Sequence, residues 1–275
     1  MQKYLIVSQP RSGSTWFGTR IGSHPCITYR HELGHQIWMA KNQKKYGEYC
    51  FDSYFKDGLA EAVASSQIIG NNDSNQSCVS KQIGVGGKIW GSQLLLPQNT
   101  NRSIPQSILH YLAKNNVKLL LLERTNIIDK MISSMEVSDN TNKFGMHCRI
   151  QANNQTSCGK NAADVVQNPV DINLSTLKQL VATSEQNRRF LFDSLNSAHL
   201  NYLYLTYEQL RFNPILFAQV VEFLGFPRTD ARFLQDRLVK RITKPRKQLI
   251  KNYPQVRAEL AAIGHLDWLL EEEYA

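Results

Sequence analysis

Short, uninterrupted apolar runs alternate along this chain with stretches whose apolar positions recur every three or four residues. Tyr4-Leu5-Ile6-Val7, Leu119 to Leu122 and Leu203-Tyr204-Leu205 are runs of the first kind. They predict strands near 4–8, 117–123 and 202–206, buried on both faces as in a parallel sheet. Cys26 to Tyr29 and Lys81 to Ile89 are candidates for two more strands, the second made irregular by Gly84, Gly86 and Gly87. Helical spacing appears between the runs. Residues 14–22 follow a Pro/Gly break. Ile127, Ile128, Met131, Ile132 and Met135 share one face, and Leu174, Leu177, Val181 and Leu195 form an apolar stripe over 172–195. Strands alternating with helices predict an α/β fold around a central, mostly parallel sheet. No internal repeat is present.

Residues 136–170 break the pattern. They are rich in Asn and Gln, contain Gly145, Gly159 and Pro169, and show no clear period. A polar segment of that length within a compact domain is more often functional than idle, with a disordered insertion as the alternative.

The turn after the first run carries the chemistry. It reads Gln9-Pro10-Arg11-Ser12-Gly13-Ser14-Thr15-Trp16. A strand, a tight small-residue loop and a helix start together form a phosphate cradle, because backbone N–H groups and the helix's partial positive charge face the anion. The loop that holds ATP or GTP is G-x-x-x-x-G-K-[ST]. Here Ser8 stands at the first glycine, and Ser14 follows Gly13 in place of lysine. The cation lies inside the loop instead, at Arg11. A nucleotide with a single 5′ phosphate-linked group needs less reach than a triphosphate. Arg11 would then sit where charge develops on transfer. An ordinary strand–turn–helix corner is the alternative reading of these residues.

Pro10 to Trp16 resembles the 5′-phosphosulfate loop of the sulfotransferase superfamily, in the arginine form found in bacterial carbohydrate sulfotransferases. Members transfer a sulfuryl group from 3′-phosphoadenosine-5′-phosphosulfate to a hydroxyl or amine. The steroid and phenol enzymes have lysine at the place of Arg11. Three further segments follow the family's order, together spanning about residues 4 to 226. Arg124 at a strand end, with Ser133 nine positions later, resembles the 3′-phosphate motif. A strand-end surface charge and a helix-face hydroxyl are the plainer readings. Tyr207-Glu208-Gln209-Leu210, then Pro214 and Phe223-Leu224-Gly225, resemble the "Y-E-x-L … P … F-L-G" block, in which the tyrosine lies near adenine and the glutamate helps fix the helix. His24-Pro25 followed by Glu32-Leu33 resembles the element whose glutamate is the candidate base. His31, at a family glycine, is a second candidate. Glu32 is otherwise a loop acid, or an ion-pair partner of Arg11 or Arg30. Lys88 resembles a family "G-x-K" lysine. In the tail, one of Lys244, Arg246, Lys247 and Lys251, ahead of Asn252, is expected to help hold the 3′ phosphate.

The resemblance implies a P-loop NTPase-like three-layer fold in a single domain, 1–275, with 136–170 as a polar lid over the acceptor site. It implies sulfuryl transfer from 3′-phosphoadenosine-5′-phosphosulfate, without a metal, to a hydroxyl of a carbohydrate or glycolipid. The implied donor residues are Arg11, Ser12, Gly13, Ser14, Thr15, Trp16, Arg124, Ser133 and Tyr207. The implied catalytic pair is Arg11 and Glu32. The alternatives are a non-catalytic nucleotide or polyanion binder of the same fold, and a P-loop kinase, which the missing lysine disfavours.

Composition narrows the partners. A net charge of +9 argues for anionic ones. The basic residues are scattered without the clusters or aromatic repeats of nucleic-acid modules, and Lys41 to Lys45 reads as a solvated face. No apolar run reaches membrane-spanning length, and Met1 leads directly into the first strand. The expectation is a cytoplasmic protein in which triplets such as Asn154-Gln155-Thr156 carry no glycan. Five cysteines, an odd number, suit reduced thiols, although Cys148 and Cys158 lie close enough in sequence to pair. Cys148 with His147 is too small a set to predict a metal site.

Overall fold

The computed structural model describes residues 1–32, 51, 55–57, 60, 84–90, 106–144, 168–236 and 244–270, with the backbone alone at 31–32, 87–90, 106–107 and 136–144. Among the described residues, five strands form one sheet: β1 (Gln2–Ser8), β2 (Ile27–Glu32), β3 (Gly84–Trp90), β4 (Lys118–Glu123) and β5 (Tyr202–Thr206). Their order is β2-β3-β1-β4-β5, which puts the first strand in the middle. Every pairing is parallel. At the end of β1, Ser8 sits opposite Trp90 on one side and Leu122 on the other.

The apolar runs predict this because both faces of the sheet are covered. Leu5 and Val7 of β1, with Leu119 and Leu121 of β4, face one core. That core is completed by Tyr111 and Leu112 of α2 (Gln106–Lys114) and by Leu195 near the end of α4 (Leu174–Ser197). Tyr4, Ile6, Leu120 and Leu122 face the opposite core. Phe17 and Ile21 of α1 (Ser14–Ile21) close it, together with Phe217, Val220 and Val221 of α6 (Leu216–Phe223). The result is three layers, α/β/α. Each wholly buried side chain of this size contributes about 1.5–3 kcal/mol of burial free energy.

Two compact units divide the chain: 1–123 with 190–236, and 124–189 with 237–275. The second holds α3 (Ile127–Phe144), the first two-thirds of α4, α7 (Arg246–Leu249) and α8 (Tyr253–Ala262). Ile127, Ile128, Met131, Ile132, Leu177, Val256 and Leu260 are among the residues of its core. Asn252 ties the unit's tail to its middle, its side chain accepting from Ile172 N–H at 3.0 Å and donating to the Ile172 carbonyl at 2.8 Å.

Two expectations need correction. Helix α3 continues through Phe144, so 136–144 are helical rather than part of an aperiodic segment. Asn and Thr are weak helix formers, but no Pro or Gly interrupts the chain before Gly145. Of the rest of that segment, expected from the sequence to be a lid, 145–167 lie outside the described residues, as do Cys148, Cys158 and Lys41 to Lys45. Second, the cysteines are not all thiols. Cys26, buried ahead of β2, is disulfide-bonded. All other cysteines lie outside the described residues. Among the described residues no helix is long and apolar enough to cross a membrane.

Candidate active site

The loop from β1 to α1 lies at the carboxyl edge of the sheet's middle strand, the edge at which open α/β sheets bind ligands. Two of its residues have left-handed backbone: Arg11 at φ 65° and Gly13 at φ 80°. Left-handed conformation costs a side-chain-bearing residue about 1–2 kcal/mol, so the loop holds Arg11 under local strain. The bend is locked from inside. Ser12 is fully buried and its hydroxyl donates to the Gln9 carbonyl at 2.5 Å. That hydroxyl is committed to the loop, which leaves the residue's backbone N–H as its means of meeting an anion. Gly13 is the N-cap of α1, whose first turn carries no side-chain cap and no acidic residue. Ser8 adds a buried hydroxyl, 3% exposed, with no hydrogen-bond partner among the described residues. An uncapped helix start beside an arginine and an orphan hydroxyl is a setting for an anion.

Aromatic residues pack directly on this loop. Tyr207 opens α5 (Tyr207–Phe212) just beyond β5, where Thr206 and Gln209 form a reciprocal capping box. The box fixes the start of the helix through Thr206 and Gln209. The Tyr207 ring lies so close to Gly13 that a Cβ there would fall within its van der Waals envelope. With the positive φ, this makes glycine necessary at position 13. Trp16 meets Tyr207 edge-on at 5.5 Å between ring centroids and Phe217 at 5.8 Å. Trp16 Nε1 donates to Asp236 Oδ1 at 2.9 Å, and Arg20 Nη1 donates to Asp236 Oδ2 at 2.9 Å. A second close approach lies further along α1, where the missing side chain of Gly18 lets the Tyr29 ring of β2 rest on the helix.

The end of β2 carries the candidate bases. The β2–β3 register shifts between Arg30, opposite Gly87, and Glu32, opposite Lys88, so His31 is the extra residue of a bulge. Glu32 and Lys88 are thus register neighbours, and for His31, Glu32 and Lys88 the backbone alone is described. Arg30 lies 3.9 Å from Asp57. His24, of the same motif, is 2% exposed. Its Nδ1 accepts from Cys26 N–H at 3.1 Å, and its ring lies against Phe226 and Phe233. Burial lowers its pKa, partly offset by Asp230, whose Oδ2 is 3.7 Å from Nε2. His24 is therefore a neutral core residue.

In the second unit, Arg124 and Ser133 bracket the first turns of α3. Arg124 is buried rather than a strand-end surface charge, and its Nη2 donates to Asp129 Oδ2 at 2.7 Å. Arg246 Nε donates to Asp129 Oδ1 at 2.9 Å, and Arg246 Nη1 donates to the Leu270 carbonyl. Asn126 caps α3, accepting from Asp129 N–H at 3.1 Å. Burial pushes the Asp129 carboxyl up, but the Arg246 hydrogen bond and the charges of Arg124 and Arg246 outweigh it and hold the pKa below its ordinary value. Of the four tail cations, Arg246 is buried beside the motif arginine, while Lys244, Lys247 and Lys251 are exposed. Ser133 is half-buried on α3.

The donor residues read from sequence thus fall into two groups. Arg11 to Trp16 and Tyr207 are brought together in the first unit, and Arg124 and Ser133 belong to the second. Sequence reasoning missed Asp129 and Asp236. Asp129 had a signal, an acid in the first turn of the helix that follows the motif arginine. Asp236, 220 positions from Trp16, had none. No group of His, Cys, Asp and Glu able to hold a metal occurs among the described residues.

No protein-family model matches the chain, and no curated protein does. Ten chains of solved structures match it, two sulfotransferase domains among them. The "Sulfotransferase Domain from the Curacin Biosynthetic Pathway" is 18% identical with a TM-score of 0.43, over 100% of this chain and 93% of that one. The "Sulfotransferase Domain from the Synechococcus PCC 7002 Olefin Synthase" is 15% identical with a TM-score of 0.37, over 100% of this chain and 90% of that one.

Proposed function

We propose that this chain is a sulfotransferase moving a sulfuryl group from 3′-phosphoadenosine-5′-phosphosulfate to a hydroxyl, on a carbohydrate or glycolipid. The observation that carries the reading is the β1–α1 loop, where strained Arg11 adjoins an uncapped helix start with Tyr207 packed on Gly13. In this reading the N–H groups of Ser12, Gly13, Ser14 and Thr15 hold the 5′ phosphate, and Trp16 and Tyr207 border the nucleoside. Arg124 and Ser133 hold the 3′ phosphate, and Arg246 is the tail cation that accompanies them. The acceptor oxygen attacks sulfur as the bond from sulfur to the bridging phosphate oxygen breaks. Adenosine 3′,5′-bisphosphate leaves, and the hydroxyl proton passes to Glu32 or His31. Arg11 offsets the charge growing on the bridging oxygen, so the catalysis is positioning and electrostatics, as in phosphoryl transfer. The Cys26 disulfide favours an oxidising compartment over the cytoplasm expected from sequence.

The test is transfer of radiolabelled sulfate from the donor to a panel of hydroxyl acceptors by wild type and Arg11→Ala. Turnover in the variant should fall about 100- to 1,000-fold, the effect of losing one preorganised transition-state donor. Wild-type-like turnover refutes the role of Arg11. ATP consumption with acceptor phosphorylation would establish the kinase instead. Binding of adenosine 3′,5′-bisphosphate without transfer to any acceptor would establish the non-catalytic binder.

A further inference from the structure

Asp236 spends both carboxylate oxygens on one face of α1. Oδ1 takes the indole N–H of Trp16 and Oδ2 takes Arg20, four residues later on the same helix. The Arg20 guanidinium also lies 4.0 Å from the centroid of Phe217, the ring that Trp16 meets edge-on. The indole is therefore fixed on three sides: by a carboxylate at its polar end, by Phe217, and by Tyr207, which itself rests on Gly13 of the loop. Asp236 is half-exposed, and an ion pair in that setting adds little to stability. Its effect is directional. A tryptophan has one polar hydrogen, and binding it to a fixed acceptor selects one orientation of the ring.

We infer that Asp236, with Arg20, is a positioning residue: it sets the Trp16 indole beside the loop so that the ring borders the purine base of the bound nucleotide. This rests on the proposed function, which supplies the nucleotide. Because Nε1 is already committed to Asp236, Trp16 meets the base through its ring surface and not through a hydrogen bond.

The experiment measures the Kd of adenosine 3′,5′-bisphosphate by calorimetry for wild type, Asp236→Ala and Asp236→Asn. It is paired with ¹⁹F NMR of 5-fluorotryptophan-labelled protein, the Trp16 resonance being assigned by its loss in Trp16→Phe. Asp236→Ala should weaken binding about fivefold, a fraction of what one base stack is worth, and shift the Trp16 resonance. Asp236→Asn keeps an acceptor for the indole and should recover most of the affinity. Unchanged Kd in Asp236→Ala, with wild type binding normally, overturns the inference and leaves the proposed function standing. Weakened binding with an unmoved Trp16 resonance also overturns it. Failure of wild type to bind the bisphosphate overturns the proposed function, and this inference with it.

Discussion

Asp129 offers the sharpest test of how the second unit is held together. Its carboxylate is 7% exposed and takes Arg124 at 2.7 Å on one oxygen and Arg246 at 2.9 Å on the other. A pair of unit charges about 4 Å apart at an effective dielectric of about 20 attract by about 4 kcal/mol, and two such pairs work against the cost of burying three charged groups. Asp129→Ala leaves two buried guanidinium groups facing each other without their shared counter-ion. The expected loss is about 3–5 kcal/mol, the range for breaking a buried pair from one side. Asp129→Asn keeps the shape and one acceptor and should lose less. Urea unfolding followed by circular dichroism, with adenosine 3′,5′-bisphosphate affinity measured alongside, checks this. An Asp129→Leu/Arg246→Met double variant removes two of the charges together and should recover part of the stability lost in Asp129→Ala. If Asp129→Ala unfolds within about 1 kcal/mol of wild type, the carboxylate is not neutralising those arginines.

Two further outcomes follow from buried groups. His24 has a folded pKa below its ordinary value of 6.5, so on acidification the unfolded chain takes up the proton first. Stability that is full above that value should fall as pH drops through it, and His24→Gln should flatten the midpoint-against-pH curve between about pH 7 and 5; an unchanged slope refutes the assignment. The Cys26 bond predicts that alkylation of denatured, unreduced protein modifies at least two fewer cysteines than alkylation after reduction, and peptide mapping should show Cys26 among those protected. Alkylation of Cys26 without prior reduction would refute it.

Much of the sheet can be read from sequence because the middles of β1 and β4 are buried on both sides, which demands unbroken apolar runs, and the edge strand β5 is partly buried. The loop is legible for a local reason: Pro10, Gly13 and the small residues between them specify a tight turn without help from distant contacts. Glycine's necessity at position 13 is only half visible, since the positive φ is a local matter while the Tyr207 ring arrives from a distant part of the chain. The last turns of α3 escape a periodicity reading because a helix made of Asn, Asp and Thr shows no apolar stripe. The roles of Asp129 and Asp236 depend on partners 117 and 220 positions distant, and no spacing rule connects such residues. The disulfide is hidden because cysteine parity constrains how many can pair, not whether any do.

Holding Arg11 in left-handed backbone has a consequence for descent. Glycine or asparagine at that position would relieve the local backbone strain, so under the proposed role the cation is kept against a local conformational cost. Under the role proposed for Arg11, selection on that reaction is the force that would keep an arginine there. A duplicate released from that selection would drift toward Gly or Asn at position 11 while still folding, becoming a silent copy recognisable by one codon.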